Sequence, residues 1–410
     1  MKYGIRCSLR SLAAGVVAAL SSVAISLGTA VAFESPNDGV YADRIDWGMS
    51  IDMSGPAAAS QHPWAKGFIS HMKAINAKGG VNGRTINVLA EDTRYDTTAE
   101  RVAYEKLATQ TPVLGMSGMG NSSAQTALVP LFSREKLPVV GTYTSAKAAF
   151  QPANPYFYGG FCGFKQMAQV GANYFIDSLN LENAKVATVH LDVASGQEFN
   201  NHMNEAVTAR GGTNVSVPIK VVAADATAQI LALLDAKPDF VAIHGVATTA
   251  QLVLRGMQQY GLDVPSFAIT YLGTPGVYEA VGEAAGAKYH FVSCFTPGSA
   301  AGDAAAEMIA AAAQDGHSAY TDDINFVSGW VIAGLVADVV QKLGAEPTRE
   351  KLIEMMSKGY ELEASALASQ LVYTPEDHEG LKVLQPIGYD YATKTFKTFG
   401  TFADFEKYTK

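Results

Sequence analysis

The chain has few cysteines and few charged residues, and these absences exclude several classes of protein. Only three cysteines occur in 410 residues, which excludes a disulfide-dense scaffold. No run of Lys or Arg occurs and the net charge is −9, so we expect neither nucleic acid nor an anionic membrane surface as a partner. Because 48% of the residues are hydrophobic, the chain can bury a core and is not a disordered linker protein.

Motifs that mark common enzymes are also missing. The chain has no Gly-x-Ser-x-Gly sequence and no phosphate-binding loop ending in Gly-Lys-Ser/Thr. The Gly-Met-Gly sequence at 118–120 does not complete a dinucleotide-binding fingerprint. The eight histidines include no His-Glu-x-x-His and no close pair spaced with a cysteine as metal ligands. We therefore expect a protein that is not an enzyme and that holds no metal and no organic cofactor.

The first 32 residues have the pattern of a cleaved signal peptide. A basic segment ends at Arg10, an apolar stretch follows, and residues 30–32 read Ala-Val-Ala, a small-residue cleavage site. The uncharged stretch 11–33 is long enough for an uncleaved membrane anchor, but its Ser, Gly and Thr content favours cleavage. Cleavage leaves 410 − 32 = 378 residues, and loss of three basic residues changes the net charge to −9 − 3 = −12. The sequence thus predicts an exported, periplasmic protein.

Two cysteines remain after the predicted cleavage, Cys162 and Cys294. Two thiols in an oxidising compartment can form one disulfide bridge. The alternative is a pair of small buried residues with free thiols. The sequence leaves both possibilities open.

Most of the chain alternates apolar runs of strand length with segments of helical period, which predicts βα units around parallel sheets. Residues 150–165 break this alternation and are expected to form an extended, aromatic connector. The alternation resumes after 165, and helices near 301–313 and 326–343 are expected to return to the first series. The prediction is an α/β fold of two Rossmann-like lobes with parallel sheets, joined by several hinge crossings. The expected first lobe is 33–155 plus 296–372, and the second is 156–295 plus 373–410.

Small hydroxyl and amide residues follow two neighbouring predicted strands of the first lobe. Asn121, Ser122 and Ser123 come after the third strand, and the sequence Thr-Tyr-Thr-Ser at 142–145 comes after the fourth. Free backbone amides and hydroxyls at a helix start can hold a carboxylate, because the helix dipole is positive there. An ordinary N-cap is the alternative for any single serine. Two such loops on adjacent strands indicate a binding site in the cleft between the lobes.

Several segments resemble the branched-chain-amino-acid-type solute-binding proteins of ABC transporters. The most specific is the sequence Asn-Ala-Lys-Gly-Gly-Val-Asn-Gly-Arg at 76–84. The supporting segments occur in the order typical of that family, at 48–56, 91–92, 121–123, 137–140 and 237–241. The similarity covers essentially the whole chain after the signal peptide. The resemblance implies a type I periplasmic binding protein fold.

The resemblance also implies a set of ligand contacts. The family's carboxylate-holding turn falls on Asn121, with Ser122 and Ser123 beside it. A second contacting loop falls on Tyr143 and on Thr144 or Ser145. Trp64 is a candidate for the cleft wall, and a core aromatic explains it equally well. Ser195 stands where relatives often carry an aromatic that covers the ligand, and Phe161, after the first crossing, is a candidate apolar contact.

One departure from the family pattern bears on the ligand. Amino-acid-binding relatives pair the ligand's ammonium with a second-lobe carboxylate, and here Ala223 and Ala224 stand in that loop. Asp225 resembles a helix-capping residue instead. Because burying an unpaired ammonium is costly, we expect a carboxylate whose other end is apolar or only hydrogen-bonding. Asp225 or Asp192 reaching the cleft would keep amino acids as the alternative.

The expected function is that of a periplasmic binding component of an ABC importer. The protein would capture a small carboxylate by hinge closure and deliver it to a permease in the inner membrane, acting as a monomer. A ligand-binding module of a periplasmic sensing system is an alternative on the same fold. A periplasmic hydrolase is a more distant alternative, for which the sequence offers no nucleophile paired with a base.

Overall fold

The computed structural model describes residues 33–144 and 147–409; the predicted signal peptide and Ser145 lie outside these ranges. The first part of the chain alternates strands and helices, as the sequence predicts. The elements are β1 Arg44–Ile51, α1 Ala58–Ala77, β2 Thr85–Asp92, α2 Thr97–Glu105, β3 Met116–Gly118, α3 Ser122–Glu135, β4 Val139–Thr142, α4 Lys147–Phe150 and β5 Phe157–Gly159.

A second series of strands and helices follows without a long interruption. Its elements are α5 Phe164–Ser178, β6 Lys185–Leu191, α6 Ala194–Thr208, β7 Thr213–Ile219, α7 Thr227–Ala236, β8 Phe240–Ile243, α8 Ala247–Gln259, β9 Ser266–Ala268, α9 Pro275–Val281, α10 Glu283–Gly286 and β10 Tyr289–Ser293.

The last part of the chain contributes helices, a small sheet and a hairpin. Its elements are α11 Gly298–Ala301, α12 Ala306–Gln314, α13 Ile324–Leu343, α14 Arg349–Ser357, β11 Tyr360–Leu362, β12 Leu371–Thr374, β13 Asp377–Leu381, β14 Gln385–Asp390, β15 Thr395–Thr398 and α15 Phe402–Phe405. Short 3-10 or π turns complete the described structure: Pro36–Asp38, Lys106–Gln110, Thr270–Leu272, Gly302–Ala305, Ser318–Tyr320 and Glu406–Tyr408.

Two large sheets define two lobes. The first sheet has the order β2-β1-β3-β4-β5, and all its strands are parallel. The second has the order β15-β14-β10-β9-β8-β6-β7, in which β6 to β10 are parallel and the β14–β15 hairpin adds an antiparallel edge. A small antiparallel sheet, β11-β12-β13, lies beside β5. The predicted α/β fold with two parallel-sheet lobes is confirmed.

One sequence expectation is wrong. Part of the predicted connector at 150–165 is strand β5, which pairs in parallel with β4 through Val139 to Phe157 and Val140 to Tyr158. The sequence did not predict this strand, because it is only three residues long, lies at the edge of the sheet and stands in a segment of aromatic residues and glycine. The first sheet therefore ends at Gly159, beyond the expected lobe boundary at 155, and β13 ends at Leu381, beyond the expected boundary at 372.

The first-lobe core is built on two long helices that cross closely. A Cβ at Gly67 of α1 would collide with the Phe326 carbonyl of α13, and a Cβ at Gly329 would collide with the Trp64 carbonyl. Glycine at both positions therefore sets the approach of these helices. Helix α13 is the one described helix long and apolar enough to cross a membrane, but most of it is buried against the fold, as expected of a core helix.

The chain passes between the two large sheets after β5, after β10 and between β13 and β14. Cys162 follows the first passage and Cys294 begins the second, and the two residues form a disulfide with a Cα–Cα distance of 6.0 Å. Both are fully buried. The structure thus resolves the alternatives left by the sequence in favour of a bridge, which ties two of the three crossings together.

Candidate functional site

A small cavity lies where the carboxyl ends of the two parallel sheets face each other, as expected for ligand sites in α/β folds. Its volume is about 40 Å³. A water molecule requires roughly 10–15 Å³ of such space, so a closed form that encloses a ligand of more than a few non-hydrogen atoms is slightly wider than this one. Both lobes contribute to the lining: Ala57, Ser60, Gln61, Tyr95, Gly120, Tyr143 and Thr144 from the first, and Phe164, Leu191, Ser195, His244, Gly245, Val246, Ile269 and Tyr271 from the second.

The loop after β1 is held by hydrogen bonds to Asp52. Its carboxylate accepts bonds from the backbone amides of Ser54, Gly55 and Ala57, which turn the chain into α1. Gln61 in the first turns of α1 accepts a bond from the Asp52 amide at 2.9 Å and donates one to the Gly120 carbonyl at 3.1 Å. These bonds fix the Gln61 side chain between the ends of β1 and β3, where it lines the cavity.

The loop after β2 presents Tyr95 to the cavity. Arg94 and Tyr95 both have positive φ, at 51° and 59°, a backbone conformation that residues with a side chain adopt rarely. The Asn121 amide supports this conformation by donating a bond to the Tyr95 carbonyl at 2.7 Å. Burial, with a smaller effect of Asp52, raises the pKa of Tyr95 to about 12, so its hydroxyl is a neutral hydrogen-bonding group at physiological pH.

A buried hydrogen-bond network links the lobes behind the cavity. The Tyr143 hydroxyl, after β4, donates a bond to Asn325 Oδ1 at 2.7 Å. Asn325, in the first turn of α13, donates through Nδ2 to the Tyr271 carbonyl of the second lobe at 3.2 Å. Asn325 is fully buried. The same side chain therefore contacts one cavity residue from each lobe.

Two helices of the first lobe near the cavity, α2 and α3, are capped by the side chain of their N-cap residue, whereas α1 begins at Ala57 without such a cap and its Ala57 and Ala58 amides donate to Asp52 and to the Gly55 carbonyl. Asn121 Oδ1 accepts bonds from the amides of Ser123 and Ala124 at the start of α3, at 3.0 and 3.1 Å. Asp96 does the same for α2 by accepting a bond from the Ala99 amide at 2.8 Å. Such caps satisfy amides that have no acceptor within the helix.

Three helices of the second lobe begin at the cavity without a side-chain cap. The N-cap residues are Gly163 for α5, Val193 for α6 and Val246 for α8, and the side chain of none of the three accepts a bond from its helix; at α8 the Thr249 hydroxyl accepts a bond from the Val246 amide. Phe164, Ser195 and Val246, at or next to these helix starts, line the cavity. The first backbone amides of each helix therefore remain available as donors, where the helix dipole is positive.

The cavity lining is neutral. None of the described residues that line it is Asp, Glu, Lys or Arg. His244 is also neutral, because burial, with a smaller contribution from His190, lowers its pKa to about 3. Three of the lining side chains have buried polar atoms without a hydrogen-bond partner: Ser60 Oγ, His244 Nδ1 and the Tyr271 hydroxyl. Buried polar atoms normally have a partner, so these three atoms are available to bond to a ligand.

The acidic residues considered as partners for an ammonium do not line the cavity. Asp225 is exposed and accepts a bond from the Thr227 amide at 2.9 Å, at the start of α7. Asp192 is exposed and accepts a bond from Gln197. Ala223 and Ala224 are also absent from the lining.

The structure brings three of the candidate residues from the sequence to the cavity: Tyr143, Thr144 and Ser195. It gives the others different surroundings. Asn121 caps α3, Ser122 is buried in its first turn and Ser123 is exposed. Trp64 and Phe161 are fully buried, and their rings lie 6.1 and 5.0 Å from that of Tyr143, so they support the cavity wall from behind.

Several lining residues have no recognisable motif in the sequence. Ser60, Gln61 and Tyr95 lie in a helix start and a loop that carry no distinctive motif, and Tyr271 follows a short strand. His244 directly follows β8, a position from which a side chain can reach the cleft. His190, the equivalent residue at the end of β6, instead contacts the Leu191 carbonyl at 3.0 Å and the Ser216 hydroxyl at 2.8 Å, which is a structural role.

The lobes also meet at the edge of the cavity. The Lys147 amide of the first lobe donates a bond to Glu198 Oε2 of α6 at 3.1 Å. Burial raises the pKa of Glu198 to about 7. This contact closes one side of the cleft, so the structure represents a closed arrangement of the lobes.

Two parallel-sheet lobes joined by three crossings, with a cavity between them, have the fold of type I periplasmic binding proteins. The chain belongs to the periplasmic binding protein family, whose model matches residues 45–384. No curated protein matches the chain significantly.

Solved structures support the same fold. A fatty acid ABC transporter substrate-binding protein from Thermomonospora curvata has a TM-score of 0.80 at 19% identity, covering 91% of this chain and 96% of that one. A leucine-binding protein from Thermotoga maritima has a TM-score of 0.74 at 19% identity, covering 87% and 98%. A branched-chain amino acid ABC transporter protein from Thermus thermophilus with bound valine has a TM-score of 0.75 at 16% identity, covering 89% and 98%.

Proposed function

We propose that this protein is the solute-binding component of an ABC importer, which captures a small carboxylate outside the cytoplasm and delivers it to a membrane permease. The observation that carries the proposal is the neutral cavity between the lobes, with unsatisfied polar atoms on Ser60, His244 and Tyr271. Leaving such atoms without partners costs about 1–3 kcal/mol each, so a ligand that bonds to them stabilises the closed form.

Closure is the mechanism of capture. The lobes approach each other by bending at the crossings, and the ligand stabilises the closed form in proportion to its additional contacts there. Lys147 and Glu198 meet across the cleft edge, and Asn325 links Tyr143 to Tyr271 behind the cavity. Exclusion of water then strengthens each polar contact to the ligand. The closed form is the one that would dock on the permease.

The neutral lining favours a carboxylate without an ammonium over an α-amino acid. A buried ammonium requires an acidic partner, and both Asp192 and Asp225 are exposed and engaged elsewhere. Carboxylates can instead be bound by backbone amides and neutral donors. Both ligand classes occur among proteins with this fold: the relative from Thermomonospora curvata is named for fatty acids and that from Thermotoga maritima for leucine.

Export to the periplasm follows from the predicted signal peptide and agrees with the family. The permease partner is expected from the same family relationship. A monomer suffices for this role, because each chain contains both lobes and the complete cavity.

A thermal-shift screen of the chain from Phe33 onward tests the proposed function. The compounds are acetate, benzoate, 4-methylpentanoate, 4-methylpentanamide and leucine, which equals 4-methylpentanoate with an added ammonium. A ligand present at 100 times its Kd stabilises the native state by about 2.7 kcal/mol, and we expect at least one acid to raise the Tm by about 5 °C. A larger shift with leucine than with 4-methylpentanoate would contradict the ligand class, and no shift with any compound would contradict the binding role.

Two histidines provide a matched pair of variants for this screen. His244 lines the cavity with an unpartnered Nδ1, whereas His190 has partners for both ring nitrogens. We expect His244→Gln to lose more than half of the ligand-induced shift in Tm. His190→Gln should lower the Tm of the free protein but keep the ligand-induced increment. Equal increments in both variants would place the ligand away from His244.

A further inference from the structure

The starts of α6 and α8 are the strongest candidates for an anion site in the cavity. These helices contain 15 and 13 residues, so their dipoles are well developed. Their N-cap residues are Val193 and Val246, whose side chains cannot accept a hydrogen bond. The Val246 amide donates to Thr249 Oγ1 at 3.3 Å and the Thr249 amide donates to the Val246 carbonyl at 2.9 Å, so the amides of Ala247 and Thr248 are the ones at this start without an acceptor within the helix.

Buried polar side chains beside these helix starts independently point to a ligand. His244 and Tyr271 are 3% and 6% exposed, line the cavity, and have polar atoms without a partner. Both are neutral, because burial lowers the pKa of His244 and raises that of Tyr271. A neutral phenol and a neutral imidazole each supply one donor. Together with the free amides they form a set of donors that suits a carboxylate.

Among the described residues, the first lobe offers fewer free helix-start amides at the corresponding places, although its Ser60 and Ser122 hydroxyls have no partner. Asn121 Oδ1 already accepts the bonds from Ser123 and Ala124 at the start of α3, and neither serine at 122 or 123 lines the cavity. A ligand carboxylate at that turn would have to displace the Asn121 cap. No such displacement is needed at α6 and α8.

We propose that the ligand's carboxylate is held by the second lobe, at the starts of α6 and α8 with His244 and Tyr271, and that the first lobe holds the remainder of the ligand. This inference rests on the proposed function and names the orientation of the ligand in the same site. The first-lobe surface that meets the rest of the ligand includes the rings of Tyr95 and Tyr143 and the polar side chains of Ser60 and Thr144. It therefore suits an uncharged group that is apolar or hydrogen-bonding, and the ligand class is a monocarboxylic acid without an ammonium.

Added charge at one helix start in each lobe tests this orientation. Val193→Asp places a carboxylate at the start of α6, and Val193→Asn has the same shape without the charge. Ser123→Asp places the same charge in the first turn of α3, on an exposed residue of the first lobe. Isothermal titration with benzoate, 4-methylpentanoate and 4-methylpentanamide then gives a Kd for each variant.

We expect Val193→Asp to weaken acid binding by about tenfold or more relative to Val193→Asn, because two carboxylates would compete for the same amides. Binding of the uncharged amide should change little, and Ser123→Asp should change the Kd of the acid less than about twofold. A larger loss with Ser123→Asp than with Val193→Asp would overturn the proposal and assign the carboxylate to the first lobe.

Amide chemical shifts of the unaltered protein provide a second measurement, which does not depend on the folding of the variants. Addition of the acid should shift the amide resonances of Ala194, Ser195 and Ala247 more than those of Ser122 and Ser123. The reverse pattern would overturn the orientation while leaving the proposed function intact. If neither acid binds the unaltered protein, the proposed function itself fails, so the two failures are distinguishable.

Discussion

The two lobes share one architecture but treat the starts of their helices differently. In the first lobe, Asp96 and Asn121 cap α2 and α3, and Asp52 accepts a bond from the Ala57 amide at the start of α1. In the second lobe, α5, α6 and α8 begin at Gly163, Val193 and Val246 without such caps. The helix-start amides of the first lobe therefore have acceptors without a ligand, although the Ser60 and Ser122 hydroxyls have no partner among the described residues, whereas the second lobe presents free helix-start amides. The difference suggests that a ligand supplies to the second lobe what side chains supply to the first.

The largest expected effect concerns how tightly each lobe is packed. In the first lobe, a methyl group at Gly67 would collide with backbone, the Phe326 carbonyl; in the second, a methyl group at Gly171 would meet the Phe267 ring. We expect Gly67→Ala to lower the free energy of unfolding by about 3 kcal/mol or more, and Gly171→Ala by about 1–2 kcal/mol, because a ring can shift more easily than a helix backbone. Urea unfolding followed by circular dichroism measures both, and equal losses would contradict this contrast.

The next effect is a pH dependence that arises in the first lobe. Glu100 of α2 is fully buried, and this burial raises its pKa to about 7, an increase that the nearby Ser50 and Thr93 hydroxyls only partly offset. A carboxyl whose pKa is higher in the folded state stabilises the fold at low pH and loses that contribution as the pH rises through 7. Between pH 5 and 8 this loss amounts to about 2–3 kcal/mol.

The variant Glu100→Gln isolates that contribution, because the amide does not titrate. Its free energy of unfolding should fall less between pH 5 and 8 than that of the unaltered protein. Glu198 and Asp323, whose pKa values burial also raises to about 7, remain in both proteins and cancel in the comparison. Identical pH profiles for the two proteins would show that Glu100 is ionised in the fold.

A smaller effect is expected from removal of a first-lobe cap. Asn121→Ala removes the acceptor for two amides of α3 and the donor to the Tyr95 carbonyl, and should cost about 1–2 kcal/mol of stability. Asn121→Ser restores an acceptor at the helix start but not the bond to Tyr95, so it should recover about half of the loss. Chemical denaturation of the three proteins without ligand provides the measurement. Full recovery by serine would mean that the bond to Tyr95 contributes nothing.

The smallest expected effect is the opposite change in the second lobe. Val193→Asn gives α6 the cap that it lacks and should raise the free energy of unfolding of the free protein by about 0.5–1 kcal/mol. The same cap competes with a ligand for the amides, so the ligand-induced increase in Tm should become smaller. If the variant is more stable than the unaltered protein and binds the acid at least as well, the proposed difference between the helix starts of the two lobes is wrong.

The alternation of strands and helices was predictable, because it depends on apolar periodicity along 45–140 and 165–270. Strand β5 was not, since Phe157–Gly159 is short and becomes a strand only by pairing with β4. The branched-chain-type family resemblance correctly indicated the fold and family. Apolar periodicity and family resemblance are each read over many residues, so a fold prediction based on them stays correct when a few residues depart from the pattern.

The site was harder to predict because the same residue types cap helices and bind ligands. Asn121 has the sequence context of a ligand contact, yet its side chain is engaged with α3 and with the Tyr95 carbonyl. Nothing in the sequence marks Val193 and Val246 as site residues. Their proposed role depends on the absence of a side-chain cap, since a valine side chain cannot accept a bond from the helix amides. Tyr95 reaches the cavity because Arg94 and Tyr95 both have positive φ, a conformation that no local sequence pattern predicts.

The disulfide between Cys162 and Cys294 has a consequence for the integrity of the second lobe. The two cysteines are 132 residues apart and enclose α5 to α10 and β6 to β10. Most of that lobe is therefore a covalent ring, closed by the disulfide where the chain enters and leaves the lobe. After a single proteolytic cut within the ring, the disulfide still joins the two fragments covalently, so both stay attached to the first lobe. For a protein that works unprotected among extracytoplasmic proteases, the bridge can preserve one working receptor after a break in its chain.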